Sequence, residues 1–260
     1  MALIITGHDR SGTTLLRKLI NQHPEMAITD EFGSFSPTGL SYRKYGRRML
    51  RWRHVQNRYL FDNDYTNRKL RRYSNLLFNT TFLLRLFEYR RSKITAASVE
   101  AALHKMYPQS KVVGDKRTHY MTDLNRLLSS DDLSGIIIYR DCRDVTSSFL
   151  TRAKADWKNS EWVMKMNTAA AVARRWVKYI EVMEQAQGRL YTIRYEDLVQ
   201  EPQAELAALG TWLGVAPDGF SCSDVRANGI GKYRKGLTED ELNEVLEIAG
   251  PTMARYGYIQ

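Results

Sequence analysis

Short apolar runs recur along the chain at wide spacing. They are Leu3–Thr6, Met26–Thr29, Lys111–Gly114, Gly135–Tyr139 and Leu190–Arg194. The run Ile136-Ile137-Ile138 has no polar alternation. A strand of this kind is expected to be covered on both faces, as in a parallel sheet. Between the runs the apolar spacing becomes helical. Thr13–Asn21 sets Leu15, Leu16, Leu19 and Ile20 on one face, with Pro24 soon after. Glu161–Gln187 reads as one long helical stretch, and Pro202–Leu213 as another. Thr238–Ala249 opens on Thr238-Glu239-Asp240-Glu241, a capping box. Strands alternating with helices predict right-handed βαβ units. The expectation is a single α/β domain over 1–260, its central parallel sheet flanked by helices, and this length suits one large domain.

Charge adds a feature that the apolar pattern does not show. The net charge is +10, and segment 41–93 carries 15 Lys and Arg against 3 Asp and Glu, a net of +12. The remainder is nearly neutral. The segment is helical in character and reads as a basic insertion after the second strand, placed to cap a ligand face. Such a segment attracts anions: phosphates, acidic peptides, anionic glycans, nucleic acid or a membrane surface. Cys142 and Cys222 are the only cysteines, so no disulfide framework is visible. No apolar run is long enough to span a membrane. The N-terminus lacks a basic region before its short apolar run, so no signal peptide is expected and a cytoplasmic location follows.

The strongest local pattern is Gly7-His8-Asp9-Arg10-Ser11-Gly12-Thr13-Thr14, between a strand and a helix. Its G-x4-G-x-[ST] spacing is that of a P-loop, in which backbone N–H groups at a helix N-terminus cradle an anion. A nucleoside-triphosphate loop has Lys after the second glycine; here that position is Thr13. The loop therefore suits one 5′-phosphate better than a magnesium-bound triphosphate. A second pattern is an apolar strand running through Arg140 into a helix that carries Ser148. A guanidinium fork and a hydroxyl in these places can face one anion.

Arg10-Ser11-Gly12-Thr13-Thr14-Leu15-Leu16, ending in His23-Pro24, resembles the 5′-phosphosulfate loop of sulfotransferases that use 3′-phosphoadenosine-5′-phosphosulfate (PAPS). The motifs are most similar to those of tyrosylprotein sulfotransferases and their bacterial relatives. The resemblance covers Leu3 to Glu31 and Val112 to Tyr258, and it fails in 41–93. It implies a P-loop-containing α/β fold, PAPS as cofactor, 3′-phosphoadenosine-5′-phosphate (PAP) as product, and no metal. It matches Arg140 and Ser148 to the 3′-phosphate ligands. Tyr195, in Arg194-Tyr195-Glu196-Asp197-Leu198, matches a nucleotide-contacting tyrosine. Lys232, in Asn228-Gly229-Ile230-Gly231-Lys232-Tyr233, matches a basic residue of the loop that closes over the cofactor.

Sulfuryl transfer to a hydroxyl needs a base and a cation. Glu31, at the end of the second strand, corresponds in place to the catalytic glutamate of the tyrosylprotein enzymes. Its neighbour Asp30 is expected to point the other way if the strand persists. Lys116 follows the third strand and supplies the charge that Thr13 lacks, and Arg10 is a further candidate contact to the phosphosulfate. Cytosolic sulfotransferases use a histidine within Lys-Thr-His; this chain reads Lys116-Arg117-Thr118-His119, one residue longer, and His119 is the second candidate base. Two other function classes stay in view. A P-loop kinase would need Lys at Thr13 and a magnesium-binding carboxylate. A non-catalytic nucleic-acid or surface binder would use 41–93, where Trp52, Tyr59, Phe61, Tyr73 and Phe78 interleave with the basic residues, but no nucleic-acid-binding motif is present and no such partner is expected. The expected partners are PAPS and a hydroxyl acceptor, with membrane-surface contact open through 41–93.

Overall fold

The computed structural model describes residues 1–51, 68–155, 161–223 and 225–260. Each of the five apolar runs forms a strand: β1 (Ala2–Gly7), β2 (Met26–Asp30), β3 (Val112–Lys116), β4 (Leu133–Tyr139) and β5 (Leu190–Arg194). They pair in parallel in the order β2-β3-β1-β4-β5. Register sets the carboxyl edge. Lys116 pairs with Ile5 on one side and Asp30 on the other, and Gly7 pairs with Ile138.

The helices are α1 (Thr13–Asn21), α2 (Tyr42–Arg51), α3 (Arg68–Leu86), α4 (Ala96–Met106), α5 (Leu124–Leu128), α6 (Cys142–Ala155), α7 (Glu161–Met164), α8 (Ala169–Gln185), α9 (Tyr195–Gln200), α10 (Pro202–Leu213), α11 (Tyr233–Gly236) and α12 (Glu239–Arg255). Alternation along β1 divides the core in two. Leu3 and Ile5 pack with α1, α9 and α10 through Leu16, Leu198 and Leu206. Ala2 and Ile4 face the layer of α4, α6, α8 and α12, where Val99, Val145, Trp176 and Val245 are buried. A fully buried aliphatic side chain contributes roughly 1.5–3 kcal/mol. Coverage on both faces is why these strands read as unbroken apolar runs.

Two helices differ from the sequence expectation. The stretch Glu161–Gln187 is two helices, because Thr168 takes an extended conformation and caps Ala171 N–H at the start of α8. The last helix keeps its Thr238 capping box but runs beyond Ala249 to Arg255, with Pro251 inside it. Proline removes one backbone hydrogen bond. Val245, Ala249 and Met253, four residues apart on one face, are fully buried and hold the helix through that loss.

The basic insertion is helical where it is described. Ser41 bridges Lys93 and closes its base. Tyr45 and Met49 of α2 and Phe78, Phe82, Leu83 and Leu86 of α3 are buried with Phe32 and Phe35, just after β2. Phe32 meets the rings of Phe78 and Phe82 edge-on, each at 4.9 Å between centroids. The insertion is therefore anchored beside the carboxyl end of β2. Leu76, Leu77 and Leu84 remain exposed on α3. Trp52, Tyr59 and Phe61 and the side chain of Tyr73 lie outside the described residues.

Candidate active site

The loop after β1 is shaped by close approach. Gly7 leaves the strand and Ser11 N–H returns to the carbonyl of His8 at 3.1 Å. Gly12, with φ 101°, is the N-cap of α1 and supplies no side-chain cap. The first N–H groups of α1 are thus available to an anion. A Cβ on Gly12 would strike the ring of Tyr195, and one on Gly7 the carbonyl of Ile138. These contacts press the loop onto the ends of β4 and β5. Among the described residues, Arg10 (φ 75°) and Glu31 (φ 56°) are the non-glycine residues with positive φ. A side chain held in the left-handed region costs on the order of 1 kcal/mol, and such positions cluster at functional sites.

On the β4–β5 side, cations and hydroxyls meet around Arg10. Its Nε donates to Ser148 Oγ at 3.0 Å, and its carbonyl accepts from Arg140 Nη1 at 3.1 Å. Arg140 is buried; its guanidinium also donates to the carbonyl of Gly229 and lies 4.4 Å from the centre of the Tyr195 ring. Arg140 and Ser148 thus belong to one cluster, joined through Arg10. Burial and the charges of Arg152 and Arg140 lower the pKa of Arg10. Convergent cations of this kind suit an anion, and the buried Arg140 Nε and Ser11 Oγ have no hydrogen-bond partner within the protein. These observations fit a nucleotide that carries phosphates at both ends. Gly231 and Tyr233 N–H groups donate to Asp144 at 2.8 and 2.9 Å, which ties the C-terminal loop to α6. Lys232 lies exposed between them.

On the β2–β3 side, Lys116 stands at the end of β3 and is 4% exposed. Its Nζ is 3.0 Å from Glu31 Oε1 and 2.5 Å from Asp30 Oδ1. The expectation that Asp30 points away from Glu31 is corrected here. The strand ends at Asp30, and the left-handed turn at Glu31 breaks the alternation, so both carboxylates reach the same ammonium. Burial opposes the charge of Lys116, but Glu31 and Asp30 outweigh it and raise its pKa. The turn itself is held by Asp115. This buried carboxylate accepts from Thr29 Oγ1 at 2.6 Å, Phe32 N at 3.0 Å, Gly33 N at 2.8 Å and Tyr120 OH at 2.6 Å. Burial pushes its pKa up to about 6.

His119 lies exposed beyond Lys116; burial of its inner part and the charge of Arg117 lower its pKa. Asp9 accepts from Thr118 Oγ1 at 2.9 Å and pairs with Arg175 at 2.8 Å, which ties the loop to the segment after β3. Sequence reasoning named Asp30 without its contact to Lys116, and missed Asp115, Asp144 and Arg152. Only Asp144, four residues after Arg140, and Arg152, four after Ser148, carried a local signal, the helical spacing. Among the described residues no group of three or more His, Cys, Asp and Glu could hold a metal ion.

Arg10 follows β1, Glu31 follows β2, Lys116 ends β3, Arg140 follows β4 and Tyr195 follows β5. A parallel sheet that gathers its functional groups at the strand carboxyl ends, with a glycine loop opening a helix, defines a phosphate-binding α/β enzyme. The profile of the sulfotransferase family matches residues 2–218, and the chain belongs to that family of PAPS-dependent enzymes. The fold is similar to the sulfotransferase domain from the curacin biosynthetic pathway, with TM-score 0.63 and 18% identity over 97% of this chain and 96% of that one. It is similar to the sulfotransferase domain of the Synechococcus PCC 7002 olefin synthase, with TM-score 0.58 and 19% identity over 96% and 94%. A sulfotransferase from Alicyclobacillus acidocaldarius gives TM-score 0.53 and 15% identity over 97% and 92%. No curated protein matches the chain in sequence.

Proposed function

We propose that this enzyme transfers the sulfuryl group of PAPS to a hydroxyl of an acceptor that is anionic or carries acidic groups beside the hydroxyl. The observation that carries the reading is the Lys116–Glu31 pair, 3.0 Å apart at the edge where the loop and Arg140 converge. In this reading the Gly7–Thr14 loop, including Ser11, Gly12, Thr13 and Thr14, binds the 5′-phosphosulfate. Arg10 also contacts the phosphosulfate, Arg140 and Ser148 bind the 3′-phosphate, with Lys232 reaching it from the C-terminal loop, and Tyr195 packs on the adenine. PAPS supplies the sulfuryl group and departs as PAP. Glu31 takes the acceptor proton as the acceptor oxygen bonds to sulfur. Lys116 stabilises the negative charge left on the phosphate oxygen as the old S–O bond breaks. The basic insertion, anchored on Phe32 beside Glu31, supports an acceptor of acidic character. A peptide tyrosine, a glycan or a small molecule meets this description.

Calorimetry tests the donor assignment. PAP is expected to bind more tightly than ADP or ATP. Equal or tighter binding of magnesium-ATP overturns it and favours a kinase.

A further inference from the structure

The residues that follow Glu31 and Lys116 in the chain line a cavity of about 190 Å³. Its walls come from three separate segments. Phe32 and Gly33 follow Glu31, Arg117 and His119 follow Lys116, and Arg48 comes from α2 of the insertion. Arg117 is buried, with Nη1 donating to Ser36 Oγ at 3.1 Å and its guanidinium lying where a Cβ on Gly33 would be. That contact fixes a positive charge in the wall. Arg48 is exposed, and no carboxylate among the described residues pairs with it. The acid in the wall is Asp123, and Arg126 answers it at 3.4 Å while also donating to the Ser36 carbonyl at 3.0 Å. Among its lining residues two arginines thus stand against one aspartate, the lining begins one residue on from the candidate base in the chain, and Arg48 belongs to the basic insertion.

We propose that this cavity is an anion subsite for the acceptor, binding a carboxylate or phosphate carried near the hydroxyl, with Arg48 as its selecting residue. The proposal rests on the reading of Glu31 and Lys116 as the reacting pair. It narrows the acceptor class to hydroxyl compounds that hold an anionic group within the reach of one small cavity. A patch of charge spread over the outer face of the insertion would impose no such limit.

His119 gives the subsite a second signature. It is faced by Arg117 on its own segment, Asp9 after β1, Glu31 after β2 and Arg175 on α8, and it shares the cavity with Arg48 and Asp123. With the cavity free of anions, burial and then Arg117 disfavour the imidazolium. The charge of a bound anion favours the imidazolium and offsets this lowering of its pKa, so anion binding and proton uptake at His119 must strengthen each other by linkage.

The test uses the whole chain saturated with PAP and two phenols of matched shape, 4-hydroxybenzoate and its methyl ester, with inorganic phosphate as a third probe. The imidazole signals are followed by NMR across pH; the chain has five histidines, and the His119→Asn variant assigns the one in question. The carboxylate is expected to bind roughly tenfold or more tightly than the ester, as a charge-assisted contact implies, and to move the His119 titration upward. Arg48→Ala, at an exposed position, is expected to remove most of that preference while PAP affinity stays unchanged. Equal binding of acid and ester, or a preference untouched in Arg48→Ala, overturns the subsite. So does a His119 signal that neither 4-hydroxybenzoate nor phosphate perturbs at millimolar concentration. Failure to bind PAP would instead overturn the underlying assignment as a sulfotransferase.

Discussion

Along the carboxyl edge of the sheet, the β4–β5 side is held by short internal ties. Arg140 is packed against Tyr195 and bonded to the backbone of Arg10 and Gly229, and Asp144 fastens the C-terminal loop on both sides of Lys232. The β2–β3 side continues into an insertion whose core is apolar and whose outer surface carries basic residues and exposed leucines. In the proposed reading, one side presents fixed groups to a single nucleotide. The other builds a wall from the basic insertion. A donor shared by a whole family needs the first kind of construction. An acceptor that differs between enzymes suits the second, since the insertion can change without moving the donor site.

The largest effect is expected at the candidate base on the β2–β3 side. Glu31→Gln keeps the size of the side chain and removes its basicity. Turnover should fall by about 10²–10⁴, the usual contribution of a general base, while PAP affinity measured by calorimetry stays nearly constant. His119→Asn should cost much less. The reverse outcome would move the base to His119 and shift the chemistry onto the cavity wall. Equal losses would indicate one shared network.

Arg140→Ala probes the fixed side. It removes a buried guanidinium, and PAP affinity should fall by about 2–4 kcal/mol, as expected for a lost charge-assisted contact to phosphate. ADP, which has no 3′-phosphate, should lose far less. The fold should persist, because Trp176 Nε1 bonds to the backbone carbonyl of Arg140, which the substitution leaves in place. Unchanged PAP affinity would place the 3′-phosphate elsewhere and remove the contrast between the sides.

What the sequence displays follows the same division. Buried parallel strands announce themselves as apolar runs, and all five are present. The Gly7–Thr14 loop and the Arg140–Ser148 pair are local patterns, so their elements could be assigned from spacing alone. Long-range ties leave no such trace. Asp144 meets Gly231 across 87 residues, and Asp115 reaches back 82 residues to Gly33. The convergence of Asp30 and Glu31 was invisible for another reason. Strand alternation sends neighbours to opposite faces, and only the left-handed backbone at Glu31 cancels that rule. The break at Thr168 did have a signal, a threonine cap, but the apolar periodicity on both sides masked it.

The smallest effect is expected from Asp30→Asn, which tests whether the β2–β3 side has a fixed anchor of its own. Asp30 stands between Lys116 at 2.5 Å and Arg17 Nε at 3.8 Å, so it links α1 to the lysine at the end of β3. The substitution leaves Glu31 as the remaining anion of the pair, and stability should fall by about 1.5–3 kcal/mol, the scale of one hydrogen bond to a charged group. The pH dependence separates this from simple loss of packing. The pKa of Lys116 is raised above its ordinary 10.5 in the folded protein. Stability from a raised lysine is fully present below the unfolded value and is lost as pH climbs through the folded one. The gap in melting temperature between the two proteins should therefore be constant near neutrality and narrow above pH 10.5. A gap that stays the same into the alkaline range would mean that Asp30 acts through shape, and that Glu31 alone holds Lys116.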